Sequence, residues 1–402
     1  MNGAMENKTG GKIIFLIPTL YGGGAERVVS ELSSNLPDSL SQYIVLFRNK
    51  IGYPHRANVI VLDASDATSG NLATKAVDIF QRVIKFRRVV KDVKPDLVFS
   101  LLQGNTVNML VRLSLRGSGY RTIVSERTAT SKIGLITKGL YGFLNRTMMK
   151  MLYNRADRII AVSEGVREDL ALNFNVKKDK ISVIYNPVDA EKIRALAAEA
   201  VDHPWFGKSD IPVIINVGRL AAQKNQKDLV IACAELRKRT ACRLVIIGEG
   251  ELKDELAKLA GVLGVSDDVA FLGFQENPFK YMARSSVFVL SSLFEGFPNA
   301  LVEAMALGCP VVASDCLTGP REILAPGLAA SSSIDGLLCA KYGLLFRPGD
   351  VRSMVSGIRT FLEDADLRAR YSRLGQERAR DFSIDKIVSA YLNIFKGDSS
   401  AE

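Results

Sequence analysis

The sequence predicts an α/β protein made of two doubly wound parallel-sheet domains facing each other across a cleft, and three observations predict it. Short apolar runs alternate with amphipathic stretches along nearly the whole chain. Most of these runs are apolar on both faces, the pattern of parallel strands buried under helices. The alternation occurs twice, on either side of the polar, alanine-rich segment "DAEKIRALAAEAVDHPWFGKSD". The expected layout is a first Rossmann-like domain over 1–195, a linker over 196–210, a second such domain over 211–378, and a C-terminal helix and tail over 379–402. Ligands of doubly wound domains sit at the carboxyl ends of the strands.

In the first half the strands read "KIIFLIP", "YIVLF", "NVIVLD", "PDLVFSLL", "RTIVSE", "DRIIAVSE" and "ISVIYNP". The second half follows with "IPVIINVG", "CRLVIIGEG", "VAFLGF", "SVFVLSS", "CPVVASD" and "YGLLFRP". The closing "FSIDKIVSAYLNIF" has the apolar period of a helix and is expected to pack back across the domain junction.

Composition sets the class. The chain has 402 residues, 47% hydrophobic and 24% charged, ordinary for a globular protein of two or three domains. A net charge of +10 favours anionic partners, although a merely soluble basic protein has the same balance. The five cysteines are odd in number and lack CxxC spacing, which fits a reducing compartment and neither a disulfide framework nor a zinc site. "IIFLIP" is too short for a signal sequence, and no apolar run approaches the roughly 20 residues that cross a bilayer. The expected location is cytoplasmic, with any membrane contact peripheral.

The first strand runs into "TLYGGGAERVVSEL". Against the dinucleotide pattern G-x-G-x-x-G, Gly22, Gly23 and Gly24 are followed by Arg27 where the third glycine belongs, and the next strand ends in the basic "FRNK" rather than an acid. NAD is therefore not expected. Glycines before a helix still present free N–H groups and a positive dipole end, so an anion fits there. The alternative is a tight turn that needs glycine for geometry alone.

In "NVGRLAAQKNQKDLV", Gly218 and Arg219 follow a strand, and Lys224 comes before the next helix. A guanidinium fork and an ammonium point charge there suit a diphosphate; two solvated loop cations are the plain alternative. In "SSLFEGFPNALVEAMALGCPVVASD", Pro298 occupies a first helical position and Gly308 closes the helix. Glu295 lies ahead of the helix and Glu303 eight positions later, roughly 10 Å away at a helical rise per residue. That separation suits two carboxylates holding two diols of one extended ligand, such as the hexose and ribose of a sugar nucleotide. Backbone N–H groups of Phe297, Asn299 and Ala300 would meet the phosphates between. The alternative is a solvated loop acid and a surface helix acid.

These residues carry a resemblance. "EGFPNALVE" resembles the E-x7-E motif of the retaining GT-B glycosyltransferases called GT4, and "GRLAAQKN" resembles their diphosphate-binding Arg/Lys pair. "YGGGAERV", "AVSEGVREDL", "IYNPVD", "VAFLGF", "GCPVVASD" and "YGLLFRPGD" follow the family order from about Lys12 to Tyr391. The resemblance implies that Glu303 holds the ribose diol, that Glu295 faces the transferring sugar, and that Arg219 and Lys224 neutralise the leaving diphosphate. Gly296, Phe297, Pro298, Asn299, Ala300 and Leu301 complete the donor loop. Phe271 and Gly273 lie near the base, and Gly22 to Gly24 close over the phosphates from the first domain. It also implies retention on one sugar face, with the leaving phosphate helping to deprotonate the acceptor. No enzyme nucleophile, cofactor or metal is then required. The two histidines, His55 and His203, lie in a loop and the linker, away from the strand ends.

One position departs from the family. Where many relatives have histidine after the strand "RTIVSE", this chain has Glu126 and Arg127, which become acceptor-side candidates. The alternative for the pair is a helix cap or a salt bridge. Asp364-Ala365-Asp366 reads as a DxD motif but lies between predicted helices, where a solvated turn is expected.

Two stretches point to a surface partner. "KAVDIFQRVIKFRRVVKDVK" carries an apolar stripe through Val83, Phe86, Val90 and Val93, flanked by Arg82, Lys85, Arg87, Arg88 and Lys91. From Thr128 to Ala156 there is no acid, and Lys132, Lys138, Arg146, Lys150 and Arg155 stand among many apolar residues. Peripheral contact with an anionic inner-membrane surface is expected, the alternative for the first stretch being a core-facing helix. The partners implied are a UDP-sugar donor and a lipid-linked glycan acceptor of surface polysaccharide, lipopolysaccharide or glycoprotein assembly, and no nucleic acid. A nucleotide-sugar epimerase or phosphorylase of the same fold, and a non-catalytic two-domain sugar-binding protein, are the rival readings.

Overall fold

The structure of the protein is a computed structural model that describes residues 11–62, 72–115, 119–131, 140–207, 210–316, 318–329 and 332–397, with the backbone alone at 72, 73, 75 and 140–145. The chain divides into two compact units. One runs to Pro187 and takes in the chain again from Ile384; the other is Val188–Ser383.

In the first unit, seven parallel strands are β1 (Lys12–Ile17), β2 (Ser41–Leu46), β3 (Asn58–Val61), β4 (Leu97–Leu101), β5 (Arg121–Glu126), β6 (Arg158–Ala161) and β7 (Ile181–Val183), in the order β3-β2-β1-β4-β5-β6-β7. Its helices are α1 (Gly24–Asn35), α2 (Leu72–Val93), α3 (Gly104–Ser114), α4 (Leu140–Tyr153) and α5 (Glu164–Phe174). The two-residue period of a strand splits the core. Ile13, Phe15 and Ile17 of β1 pack with α1 and the C-terminal helix Ile384–Lys396, while Ile14 and Leu16 pack with α2 and α3.

That C-terminal helix is part of the first unit for a plain reason. It buries Ile387, Val388, Tyr391, Ile394 and Phe395, and Tyr391 and Phe395 stack edgewise or tilted on Phe99 of β4. Arg121 of β5 donates to the carbonyls of Phe395 (2.7 Å) and Ile394 (3.0 Å), satisfying acceptors that a helix end leaves open.

In the second unit the strands are β8 (Val213–Val217), β9 (Arg243–Ile247), β10 (Val269–Phe271), β11 (Val287–Leu290), β12 (Val311–Ser314), β13 (Leu337–Cys339) and β14 (Leu344–Phe346), in the order β10-β9-β8-β11-β12-β14-β13. Its helices are α6 (Ala190–Ala197), α7 (Gln226–Arg237), α8 (Lys253–Val262), α9 (Phe279–Met282), α10 (Asn299–Ala306), α11 (Pro320–Leu324), α12 (Val351–Glu363) and α13 (Ala365–Ala379). All pairings are parallel except β13 with β14. The three-residue edge strand β13 is too short to show a period, which is why the sequence does not display it.

The units divide at Pro187 and Val188 rather than at the sequence-expected 195, because α6 is tied to the second unit. Arg194 donates to Ala306, Asn277 to Leu196 and Arg284 to Ala197, at 3.3, 2.8 and 2.8 Å. Each sheet reverses direction of winding once, between β1 and β4 in the first unit and between β8 and β11 in the second. Those switch points are where an open α/β sheet leaves a crevice at its carboxyl edge.

Candidate functional site

In the second unit, both loops at the switch point carry predicted residues. After β8 come Gly218 and Arg219, then a short turn Ala222–Lys224 and α7. After β11 come Ser291, Ser292 and Glu295, then α10. The loops are laced together. Leu293 donates its N–H to Gln223 O, the Gln223 amide donates to Phe294 O, and Ser291 Oγ donates to Lys224 O, each at 2.8 Å.

This lacing brings Lys224 Nζ to 2.5 Å from Glu295 Oε1. Ser292 Oγ donates to the same oxygen at 2.6 Å. Glu295 is buried and Lys224 about a quarter exposed, so the pair is only partly screened by water. Thr318 Oγ1 holds the Glu295 carbonyl, and Ser314 Oγ holds that of Ser292 at 2.6 Å. Glu303 lies buried inside α10 rather than on a solvated face.

Arg219 stands apart from that pair. Its side chain is 72% exposed and reaches Glu251 at 3.2 Å. Glu251's carboxyl is held below its usual range first by its own backbone N–H and then by Arg219. The backbone under Arg219 is fixed by a loop the sequence reading did not single out, Gly248-Glu249-Gly250 after β9. Gly218 N–H donates to Ile247 O at 2.9 Å and Leu220 N–H to Glu249 O at 2.8 Å. A Cβ on Gly248 would fall 2.0 Å from Gly218 O, and one on Gly250 2.2 Å from Leu220 O. Gly248 also has φ +140. The sequence signal was the "GEG" at a strand end.

The donor-loop residues separate by role. Pro298 is the cap residue and α10 begins at Asn299, one position later than the spacing predicts; no side chain caps this end. Phe297 is buried against Phe382, with ring centroids 5.3 Å apart, and Leu301 is fully buried with its N–H spent on Pro298 O. Those two side chains serve packing. Gly296 and Ala300 lie on the same short path. Phe271 packs against the core, and Gly273 O accepts from Gly248 N–H at 2.8 Å, with Phe274 exposed beyond it.

In the first unit, Gly22 (φ +79) and Gly23 turn the chain from β1 into α1. A Cβ on Gly23 would lie 2.2 Å from Glu26 Oε2. Glu26, the third residue of α1, folds back over its own helix end, and an acid at that position is the sequence signal for it. Burial raises its carboxyl, against its own backbone N–H, the charge of Arg127 and the Thr19 hydroxyl.

Glu126 and Arg127 leave the end of β5 in different directions. Glu126 Oε1 accepts from Tyr153 OH and from Asn105 Nδ2 (3.0 Å), and Oε2 from Thr130 Oγ1 (3.0 Å). Burial raises its carboxyl despite these donors. Arg127 is 9% exposed and bonds Asn186 Oδ1, Tyr391 OH (3.3 Å) and Ser125 Oγ (3.4 Å). Neither is a helix cap, and neither forms an ion pair among the described residues.

Helix α2 turns out to have two apolar faces. Phe86 and Val90 are buried, with Val83 and Val93 packed beside them, so the stripe legible in the sequence faces the core. Lys85 Nζ donates to Leu62 O at 2.8 Å and Arg82 lies over Phe47. The outward face carries Val77, Phe80 and Ile84, at 54%, 64% and 39% exposure, followed by the exposed Arg87, Arg88 and Lys91. In the second basic stretch, Arg146, Lys150 and Met151 are exposed while Met149 and Leu152 are buried. Lys132 and Lys138 lie outside the described residues.

Asp364, Ala365 and Asp366 are exposed at the turn between α12 and α13, as expected, and Asp364 also caps α13: its carboxylate accepts from Leu367 N at 2.8 Å. Among the described residues no three His, Cys, Asp or Glu side chains gather as a metal would need, and no helix is long and apolar enough to cross a membrane. Four cysteines are buried and free, and Cys339 is exposed. His55 Nδ1 lies 3.2 Å from Ala57 O, and His203 Nδ1 accepts from Trp205 N; both are local contacts.

Comparison with known proteins gives two family matches in succession. Residues 22–192 match the model of Glycosyltransferase Family 4, and residues 202–378 that of Glycosyl transferases group 1. The chain is 32% identical over 387 residues to the N-acetylgalactosamine-N,N'-diacetylbacillosaminyl-diphospho-undecaprenol 4-alpha-N-acetylgalactosaminyltransferase of Campylobacter jejuni, covering 96% of this chain and 100% of that one. It is 34% identical over 179 residues to the lipopolysaccharide 1,6-galactosyltransferase of Salmonella typhimurium, covering 43% of this chain and 47% of that one. Among solved structures it superposes on Anabaena HepE in complex with UDP, with TM-score 0.75, 20% identity, and coverage of 96% of this chain and 99% of that one. That likeness shows the two-domain GT-B fold.

Proposed function

Because the chain belongs to glycosyltransferase family 4 and is a glycosyltransferase, we propose that it moves a hexose or N-acetylhexosamine from a UDP-sugar to a lipid-linked glycan acceptor, with retention at the anomeric carbon. The observation that carries the reading is the Lys224–Glu295 pair at the carboxyl-edge switch point of the second unit. It sets a cation for a leaving phosphate beside a buried carboxylate able to accept from a sugar hydroxyl. The lipid-linked acceptor and the amino-sugar class rest on the full-length relative from Campylobacter. UDP rests on the UDP-bound structural neighbour.

In this reading Glu303 takes the ribose diol and Glu295 Oε2 a hydroxyl of the transferring sugar. Arg219 exchanges Glu251 for the diphosphate, and Lys224 shares its charge between Glu295 and the leaving phosphate. The acceptor oxygen bonds to the anomeric carbon as the bond from that carbon to the phosphate oxygen breaks. The acceptor proton passes to the departing phosphate on the same face. The cations stabilise charge that develops on the leaving group, so no metal or other cofactor enters the proposal.

A lipid-linked acceptor calls for a bilayer surface, and the outward face of α2 suits one. Val77, Phe80 and Ile84 offer insertion, and Arg87, Arg88 and Lys91 complement anionic headgroups. The same cations oppose pairing of this face with a second copy.

The test is a panel of UDP-sugars offered with lipid-linked acceptors, read by UDP release and by the anomeric configuration of the product. Release of UDP with an α-linked product from an α-linked donor is expected. An inverted product, or binding of donors without turnover under every acceptor condition, would overturn the proposal.

A further inference from the structure

Arg127 is a buried charge whose hydrogen bonds all go to neutral groups. It is nine-tenths buried at the carboxyl end of β5, and all of its bonds go to neutral oxygens: the Asn186 amide, the Tyr391 phenol and the Ser125 hydroxyl. No described carboxylate lies in ion-pair contact with it. A guanidinium withdrawn from water without a counter-ion costs several kcal/mol, and such charges are normally paired. The acid within reach of its charge, Glu26, is itself folded over Gly23 at the end of α1, where burial raises its carboxyl and the charge of Arg127 lowers it.

The holding of the side chain is elaborate. Tyr391 comes from the C-terminal helix, which Arg121 in turn ties to β5; Asn186 comes from the segment after β7. Contacts from two elements fix the plane of the guanidinium without neutralising it. A guanidinium held in this way can offer its remaining N–H groups to an anion.

We propose that Arg127 is the core of a phosphate-binding site in the first unit, completed by a substrate phosphate, with Tyr391 and Asn186 as its positioning residues. Two sources share that chemistry under the function proposed above, on which the choice between them rests: the diphosphate of the donor and the diphosphate that links an acceptor to its lipid.

The experiment uses the full chain and three probes, inorganic pyrophosphate, UDP and a short-chain prenyl diphosphate, titrated calorimetrically against wild type, Arg127→Gln, Arg127→Lys and Tyr391→Phe. Arg127→Gln is expected to lose at least tenfold in pyrophosphate affinity while melting no lower than wild type, because it removes a buried charge hydrogen-bonded only to neutral groups. Arg127→Lys keeps part of the binding, and Tyr391→Phe weakens it about threefold. A tenfold loss confined to prenyl diphosphate names the acceptor as source, and one confined to UDP names the donor. Unchanged binding of all three probes by a folded Arg127→Gln overturns the proposal. So does a collapsed Arg127→Gln alongside an Arg127→Lys that binds as wild type, since Arg127 would then be a structural residue. Pyrophosphate binding needs no glycosyl transfer, so failure here is distinct from failure of the transferase reading.

Discussion

Lys224 and Glu295, 71 positions apart in sequence, meet at 2.5 Å where the loops after β8 and β11 close the switch point of the second sheet. The pairing gives each residue two duties. Glu295 is buried, so Lys224 is both its counter-ion and the proposed partner of the leaving phosphate. Lys224→Ala strands the carboxylate. The expected outcome is a loss of about 1–3 kcal/mol of stability, since an unpaired buried group keeps its desolvation penalty. Turnover falls on the order of 10²-fold for loss of a transition-state charge partner. Denaturant unfolding and UDP-release kinetics on one preparation check both.

Arg219→Ala separates what Lys224 joins. Arg219 is largely exposed and its contact with Glu251 is screened, so its removal leaves stability unchanged within about 0.5 kcal/mol. Turnover is expected to fall on the order of 10²-fold, as for Lys224. A variant that loses stability, or keeps wild-type turnover in a verified assay, contradicts the role assigned to it.

Gly248→Ala tests the loop beneath Arg219. The new Cβ would lie 2.0 Å from a carbonyl oxygen of the backbone, at φ +140, where an L-residue is also strained. Neither a backbone oxygen nor the strand behind it can swing away, so a destabilisation of about 1–3 kcal/mol is expected, with the Arg219 loop displaced. Thermal unfolding and the Michaelis constant for donor report the two effects separately.

The sheets, their carboxyl edges and the charged residues on them were legible because they depend on local pattern: apolar runs, glycine turns and a proline at a helix start. What was not legible depends on which side of an element faces the rest of the chain. The α2 sequence has apolar residues on more than one face, and the stripe through Val83, Phe86, Val90 and Val93 is the one that packs on the core. Val77, Phe80 and Ile84 are exposed only because α2 packs where it does. The joining of Lys224 to Glu295 and of Arg127 to Tyr391 needs contacts across 71 and 264 positions, and no spacing rule reaches that far. Glu126, met as a candidate replacing a family histidine, became specific only when Asn105, Thr130 and Tyr153 closed around it.

Glu126 sets a pH dependence whose sign follows from its raised carboxyl. A folded state that holds the proton more tightly than the unfolded chain binds more protons, so its contribution to stability declines as pH rises. That contribution is full below the unfolded carboxylate value, near 4.5, and is lost as pH passes through the higher folded value. Glu126→Gln removes the titration and keeps an acceptor for Tyr153. The variant is expected to gain on wild type in melting temperature between pH 4 and pH 8, and a difference that is flat with pH would show that the carboxyl is not raised.

Phe80→Glu tests the membrane face of α2. Phe80 is 64% exposed, so the substitution leaves the fold intact, and it places a negative charge in the middle of the Val77–Ile84 stripe. Burial of a phenylalanine side chain in the interface contributes about 1.5–3 kcal/mol, and each basic residue near an anionic surface about 1 kcal/mol. Loss of the ring alone should therefore lower partition onto vesicles containing phosphatidylglycerol by about tenfold or more, and the added carboxylate lowers it further. Arg87→Gln with Arg88→Gln lowers it by a comparable factor and flattens its dependence on salt, because the screened component has been removed. Neutral phosphatidylcholine vesicles should bind wild type weakly throughout. Equal sedimentation of wild type and Phe80→Glu with the anionic vesicles would place the membrane contact elsewhere on the chain. Turnover on a water-soluble acceptor, unchanged in Phe80→Glu, would show that the variant alters access to lipid and not the chemistry at Lys224 and Glu295.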